Sequence, residues 1–137
     1  MRSKNPINVS GYEGEKRIKD FLISEDISFI HGGFKRGVID FRINTPNGIM
    51  YADSKNQNDG GSVDEKIPHT SFKYAKKYNT NHIIIVRGDH DYPKSVYKHL
   101  EALEECMGIK TEVFTFDEFK NLFSDNTSVG ILEQCMN

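Results

Sequence analysis

The stretch GVIDFRINTPNGIMYADSKNQ, residues 37–57, decides the fold. Two alternating runs of apolar and polar residues, GVIDFRIN and GIMYADSKNQ, flank TPNG, a cluster of turn-forming residues, so the segment reads as a β-hairpin. Asp40 interrupts the first run, and the second run carries Asp53 and Lys55 two positions apart. Strand residues alternate between faces, which puts Ile49, Tyr51, Asp53, Lys55 and Gln57 on the same side. A two-residue loop at Pro46 and Asn47 sets Asp40 opposite Asp53; a loop at Asn47 and Gly48 sets it opposite Lys55 and diagonal to Asp53. A type I turn with a bulge at Gly48 shifts the count by one and turns Asp40 away unless a second bulge restores it. Either two-residue register gathers two carboxylates and an amine on one patch of sheet.

Two adjacent carboxylates repel unless a proton or a cation offsets their charge. A hard divalent cation suits them: Mg²⁺ takes oxygen ligands, typically one or two carboxylates together with waters and phosphate oxygens. A cation so held activates water and neutralises charge developing on phosphorus, while a nearby ammonium supports the nucleophile or the transition state. The trio therefore points to phosphodiester hydrolysis.

Outward from the hairpin, residues 10–24 carry Glu15, Ile18, Phe21 and Leu22 at helical spacing with Ser10 as a possible N-cap, and ISFIH (27–31) reads as a short strand. Beyond the glycine-rich NDGGS, residues 63–78 predict a helix opened by a capping box of Ser62 and Glu65. HIIIVRG (82–88) is a continuous apolar run, the pattern of a strand covered on both faces. GDHDY (88–92) reads as a turn ending in an Asp91 N-cap, with Pro93 in the first turn of a helix that carries Val96, Leu100, Leu103 and Met107 on one face. The strand TEVFTF and the helix DEFKNLF follow, and the C-terminal tail has no assigned element. The predicted class is α/β (α+β): a mixed central sheet of about five strands flanked by helices, with the hairpin at its heart.

Length and composition set the outer limits. A chain of 137 residues, 36% hydrophobic and 28% charged with mean hydropathy −0.59, is expected to form one globular domain over 1–137. No run is long or apolar enough to span a bilayer and MRSKNPINVS lacks the apolar core of a signal peptide, so an intracellular, cytoplasmic protein is expected. Cys106 and Cys135 lack ligand-like spacing and read as reduced thiols, and none of the five histidines has a partner at metal-binding spacing. Net charge −2 gives no global attraction to nucleic acid, although local clusters of Lys and Arg can supply one.

At the residues that carry the chemistry, the sequence resembles the PD-(D/E)XK nuclease superfamily, whose fold is restriction-endonuclease-like. The resemblance covers roughly residues 11–87: GYEGEKRIKDFL matches the opening helix, GVID the first metal-binding aspartate, YADSKNQ the D/E-x-K strand, and GGSVDEKIPH a loop-to-helix element beside the substrate groove of some members. It implies that Asp40 and Asp53 are metal ligands, Lys55 the catalytic lysine, Glu15 the helix acid near the metal, and Gln57 a glutamine often found beside the motif. Ile39 stands where the eponymous proline would be, and Asp53 replaces the commoner glutamate. Two function classes follow. The first is a Mg²⁺-dependent endodeoxyribonuclease, with Mn²⁺ as a possible substitute, acting as a homodimer because two strands need two active sites. Restriction-like, homing and junction-resolving activities all fit it. The second is a non-catalytic nucleic-acid-binding protein of the same fold. Lys66, Lys73, Lys76 and Lys77 form a candidate phosphate-facing strip, with Lys66 and Lys73 as substrate-binding candidates; Glu65 is claimed equally by the capping box.

Overall fold

The computed structural model describes residues 6–33, 35–55 and 63–124, with side chains described from Glu13 in the first helix and from Glu65 in the second. Helix α1 (Pro6–Ser24) is followed by β1 (Phe29–His31), β2 (Phe41–Thr45) and β3 (Gly48–Lys55). Then come α2 (Val63–Tyr78), β4 (His82–Arg87), α3 (Lys94–Met107), β5 (Lys110–Phe114) and a last helix, α4, over 116–124. The five strands form one sheet in sequential order, antiparallel from β1 to β3 and parallel from β3 to β5. This is the mixed sheet flanked by helices that the strand patterning predicts. Parallel neighbours need a crossover running back along the sheet, and α2 and α3 provide the two that are required.

The apolar run in β4 explains the layering. Ile83 and Ile85 pack on one face with Ile67, Tyr74, Ala75, Val96 and Leu100 of α2 and α3; Ile84 and Val86 pack on the other with Ile18 and Leu22 of α1 and Phe119 of α4. Each such side chain, when fully buried, contributes roughly 1.5–3 kcal/mol of transfer free energy, so both faces of β4 must be covered.

The hairpin closes with Thr45 opposite Gly48, which is the two-residue loop at Pro46 and Asn47. Gly48 adopts φ +122°, a conformation that L side chains rarely take. Thr45 braces the turn, its hydroxyl donating to the Gly48 carbonyl at 2.7 Å and accepting from the Asn47 N–H at 3.2 Å.

Three local expectations are corrected. Helix α1 begins at Pro6, so Ser10 lies inside it and is not its N-cap; Pro6 suits a first helical position, where an N–H has no intrahelical partner. Helix α3 begins at Lys94 after an extended Pro93 with no side-chain cap. Asp91 Oδ1 instead accepts from the Tyr92 N–H and the Tyr97 hydroxyl and faces Arg87, so it is engaged by these groups and not by a backbone N–H of the helix. Val96 and Leu100 are buried and Leu103 packs against them, but Met107 is 50% exposed because the helix stops there, at a left-handed Gly108. Ser62 of the expected capping box lies outside the described residues, as do Gln57, the TPNG-distal end of the 49–57 strand and the C-terminal tail.

Candidate active site

Asp40 stands one residue ahead of β2, where the chain bends into the sheet, and the register carries it opposite Asp53. The two aspartates are cross-braced through the backbone: Asp53 Oδ1 accepts from the Asp40 N–H at 3.0 Å, and Asp40 Oδ2 accepts from the Ser54 N–H at 2.8 Å. Asp53 is 1% exposed. Lys55, on the same face two residues on, brings its ammonium to 2.7 Å from Asp53 Oδ2. That ammonium is the one partner of Asp53 Oδ2 among the described residues, and the carboxylate is otherwise closed to solvent.

The electrostatics follow from this crowding. Burial, and then the negative charge of Asp53, push the Asp40 carboxyl up to about 8, against the opposing pull of the Ser54 N–H and Lys55. Burial on its own lowers the Lys55 ammonium, but the charge and hydrogen bonding of Asp53, with Asp40 and Glu15 behind it, outweigh burial and raise it above its ordinary value. The site has more negative charge than a single lysine offsets.

The position of Asp40 is held by contacts distant in sequence. Tyr74, Lys77 and Tyr78 of α2 grip the three residues before it: the Tyr74 hydroxyl donates to the Val38 carbonyl at 3.3 Å, the Lys77 ammonium to the Gly37 carbonyl at 2.6 Å, and the Ile39 N–H donates to the Tyr78 hydroxyl at 3.1 Å. Burial, followed by Asp53 and Asp40, raises the Tyr74 phenol, which keeps it a donor. From the other side the Gly32 N–H donates to the Asp40 carbonyl at 2.7 Å. A Cβ on Gly32 would lie 2.3 Å from the Ile39 carbonyl oxygen, so only glycine permits this approach. Tyr92 donates to the Lys55 carbonyl at 2.9 Å and anchors the end of β3.

Glu15, at helical spacing from Ile18 and Leu22, is buried. Its carboxylate lies 2.7 Å from His31 Nε2, and the His31 ring stacks on Phe41 with centroids 5.0 Å apart. Reading the histidines by spacing alone missed His31, whose partner is 16 residues away. Its one visible signal is its place at the end of the strand next to the hairpin. Lys66 and Lys73 are exposed on α2, and Glu65 is exposed as well.

Residues 10–124 match the PD-(D/E)XK nuclease superfamily domain. The chain belongs to this superfamily. No curated protein and no solved structure shows significant similarity to it. Membership makes the domain one of nuclease type, with nucleic acid as the implied substrate and divalent metals as the usual cofactors of its relatives. The sheet and helices have the restriction-endonuclease-like arrangement of that superfamily. Its departure at Ile39 has a local counterpart, because a proline would lack the N–H that Ile39 donates to Tyr78.

Among the described residues no group of three or more His, Cys, Asp or Glu is arranged to hold a metal ion. The oxygen donors that the site offers are the carboxylate pair, and two features of it fit a divalent cation that takes few protein ligands: the buried Asp53 Oδ2, offset by one lysine alone among the described residues, and an Asp40 carboxyl pushed up to about 8 by burial and then by the charge of Asp53. Among the described residues no helix is long and apolar enough to cross a membrane.

Proposed function

We propose that residues 1–137 form one catalytic domain, a Mg²⁺-dependent endodeoxyribonuclease that hydrolyses DNA phosphodiester bonds, with Mn²⁺ able to replace Mg²⁺. The observation that carries the reading is the juxtaposition of buried Asp53, cross-braced to Asp40, with the Lys55 ammonium at 2.7 Å. Asp40 and Asp53 would hold the cation, which when bound supplies Lewis acidity toward water and phosphate. Lys55, whose ammonium is favoured by the charge of Asp53, would donate hydrogen bonds and positive charge to the attacking oxygen and the crowded phosphorus. Glu15, held by His31, would support the site from α1, and Gln57, two residues after Lys55 in the sequence, is a further candidate. Hydrolysis forms a P–O bond from water and breaks one P–O ester bond, leaving a phosphate and a hydroxyl end. Cutting a duplex needs two such sites, which a homodimer supplies.

Supercoiled plasmid and a synthetic four-way junction, each incubated with the protein in Mg²⁺ and in EDTA, test this reading. Linear or nicked plasmid in Mg²⁺ alone is the expected result. Selective cutting of the junction would reassign the protein as a resolvase, and cutting of neither would leave a non-catalytic nucleic-acid-binding domain.

A further inference from the structure

Charge is unevenly distributed along this chain. Residues 27–88 carry nine Lys and Arg against five Asp and Glu, whereas the rest carry nine against fifteen, so a protein of net charge −2 contains a basic central segment. Two of those five acids are Asp40 and Asp53 of the site, and no acid occurs over 27–39 or over 66–88. The fold joins these two acid-free stretches. Through Tyr74, Lys77 and Tyr78, the loop carrying Lys35 and Arg36 is fastened to the half of α2 that carries Lys73 and Lys77. Lys66, Lys73 and Lys77, spaced seven and four apart, share one face of that helix.

Lys35, Arg36, Lys66, Lys73 and Lys77 are exposed, and none has a carboxylate partner among the described residues. Lys16, Arg87, Lys110 and Lys120 do pair with acids, whereas Arg17, Lys19, Lys94 and Lys98 have no such pair among the described residues but stand on α1 and α3 and not on the loop that leads into Asp40. Lys77 gives its hydrogen bond to a carbonyl and so keeps its charge uncompensated. Arg42 adds a further cation next to this group, lying 5.4 Å from the centroid of the Tyr78 ring, which in turn stacks on Tyr51. A cluster of unpaired cations repels itself, and a run of phosphates offsets that repulsion while releasing condensed counterions. The cluster also lies on the loop that leads directly into Asp40.

We infer that loop 35–38 and the Lys66–Lys73–Lys77 face of α2 form the surface on which the phosphate backbone of duplex DNA lies as it enters the Asp40–Asp53–Lys55 site. This rests on the nuclease reading for the location of the cut, and on charge and geometry alone for the contact surface. Lys35 and Arg36 precede Asp40 by five and four residues, so phosphates flanking the scissile bond are the ones they meet.

The test is binding of a short fluorescein-labelled duplex followed by fluorescence anisotropy, in Ca²⁺ and across a salt series. The variant Lys35→Ala/Arg36→Ala/Lys73→Ala is compared with Lys19→Ala/Lys94→Ala/Lys98→Ala, which removes the same charge from exposed positions on α1 and α3. Loss of three phosphate contacts should weaken binding at low salt by about 30- to 100-fold and reduce the slope of log K against log salt by about 2 to 3, with the control triple within about threefold of wild type. Equal losses in the two triples, or none in either, would overturn the assignment. If the alanine triple melts early, Lys73→Glu on the helix surface provides the same comparison against Lys98→Glu. Expected binding losses in a protein that cuts nothing in Mg²⁺ would end the nuclease reading and leave the surface in place. Plasmid cutting with unchanged binding by the patch variant would do the reverse, and a wild type that does not bind DNA would overturn both.

Discussion

Replacing Lys55 by methionine separates catalysis from the holding of the cation. Methionine keeps most of the apolar stem of lysine, so packing changes little, while the charge next to Asp53 disappears. Asp53 is 1% exposed, and among the described residues its Oδ2 has only the Lys55 ammonium, at 2.7 Å, for company. Removing one partner of a buried ion pair typically costs about 3–5 kcal/mol. Here Lys55 is 31% exposed and Asp53 Oδ1 retains the Asp40 N–H, so a loss nearer about 2–3 kcal/mol is expected, from the range for an unsatisfied charged group. Mg²⁺ should then stabilise the variant more than the wild type, because the cation takes over the role of counter-charge; ligand at 100 times its dissociation constant contributes about 2.7 kcal/mol. Cleavage should nevertheless fall by about 10² to 10³, the usual effect of losing one preorganised charge at a reacting centre. Thermal melts with and without Mg²⁺, beside a plasmid-nicking time course, read the two effects separately. Wild-type cleavage by a folded Lys55→Met protein, or a melting temperature in the variant that ignores Mg²⁺, would refute the reasoning.

Asp40, whose carboxyl is pushed up to about 8, favours folding when protonated. In EDTA its stabilising contribution is present at acid pH and lost as pH rises through about 8, so Asp40→Asn should melt higher than wild type at pH 8 in EDTA and lose the stabilisation by Mg²⁺. Melting curves across pH check both, and a variant with wild-type pH dependence would contradict the assignment. Tyr78→Phe leaves the Ile39 N–H without its partner and should cost about 1–3 kcal/mol in urea unfolding, with a higher Mg²⁺ requirement for cleavage as Asp40 loosens. His31→Phe keeps the stacking on Phe41 but frees Glu15, and the Mg²⁺ concentration for half-maximal cleavage should rise by about 10-fold or more, with His31→Gln restoring part of it. An unchanged Mg²⁺ titration would show that the Glu15–His31 contact only fills space.

The sequence by itself determined the elements whose signals are local. TPNG between two alternating runs specified the hairpin, the period of two placed Asp53 and Lys55 on one face, and the unbroken apolar run of β4 announced a strand buried on both sides. Helical spacing to Ile18 and Leu22 left Glu15 open to an inward or a solvated place, and the fold buries it. Only the tertiary structure chose among the hairpin registers and turned Asp40 toward Asp53. That choice depends on Tyr74, Lys77 and Tyr78, each 36 to 40 residues from its partner, and on the close approach of Gly32. Asp91 and Met107 carry the same lesson in reverse, since local rules made one a cap and the other core until Tyr97, Arg87 and the end of the helix redirected them. His31 was silent because its partner lies on another element. Local patterns are set by backbone geometry that neighbouring residues share, whereas the site is assembled by contacts whose free energy exists only once the sheet has brought distant residues together.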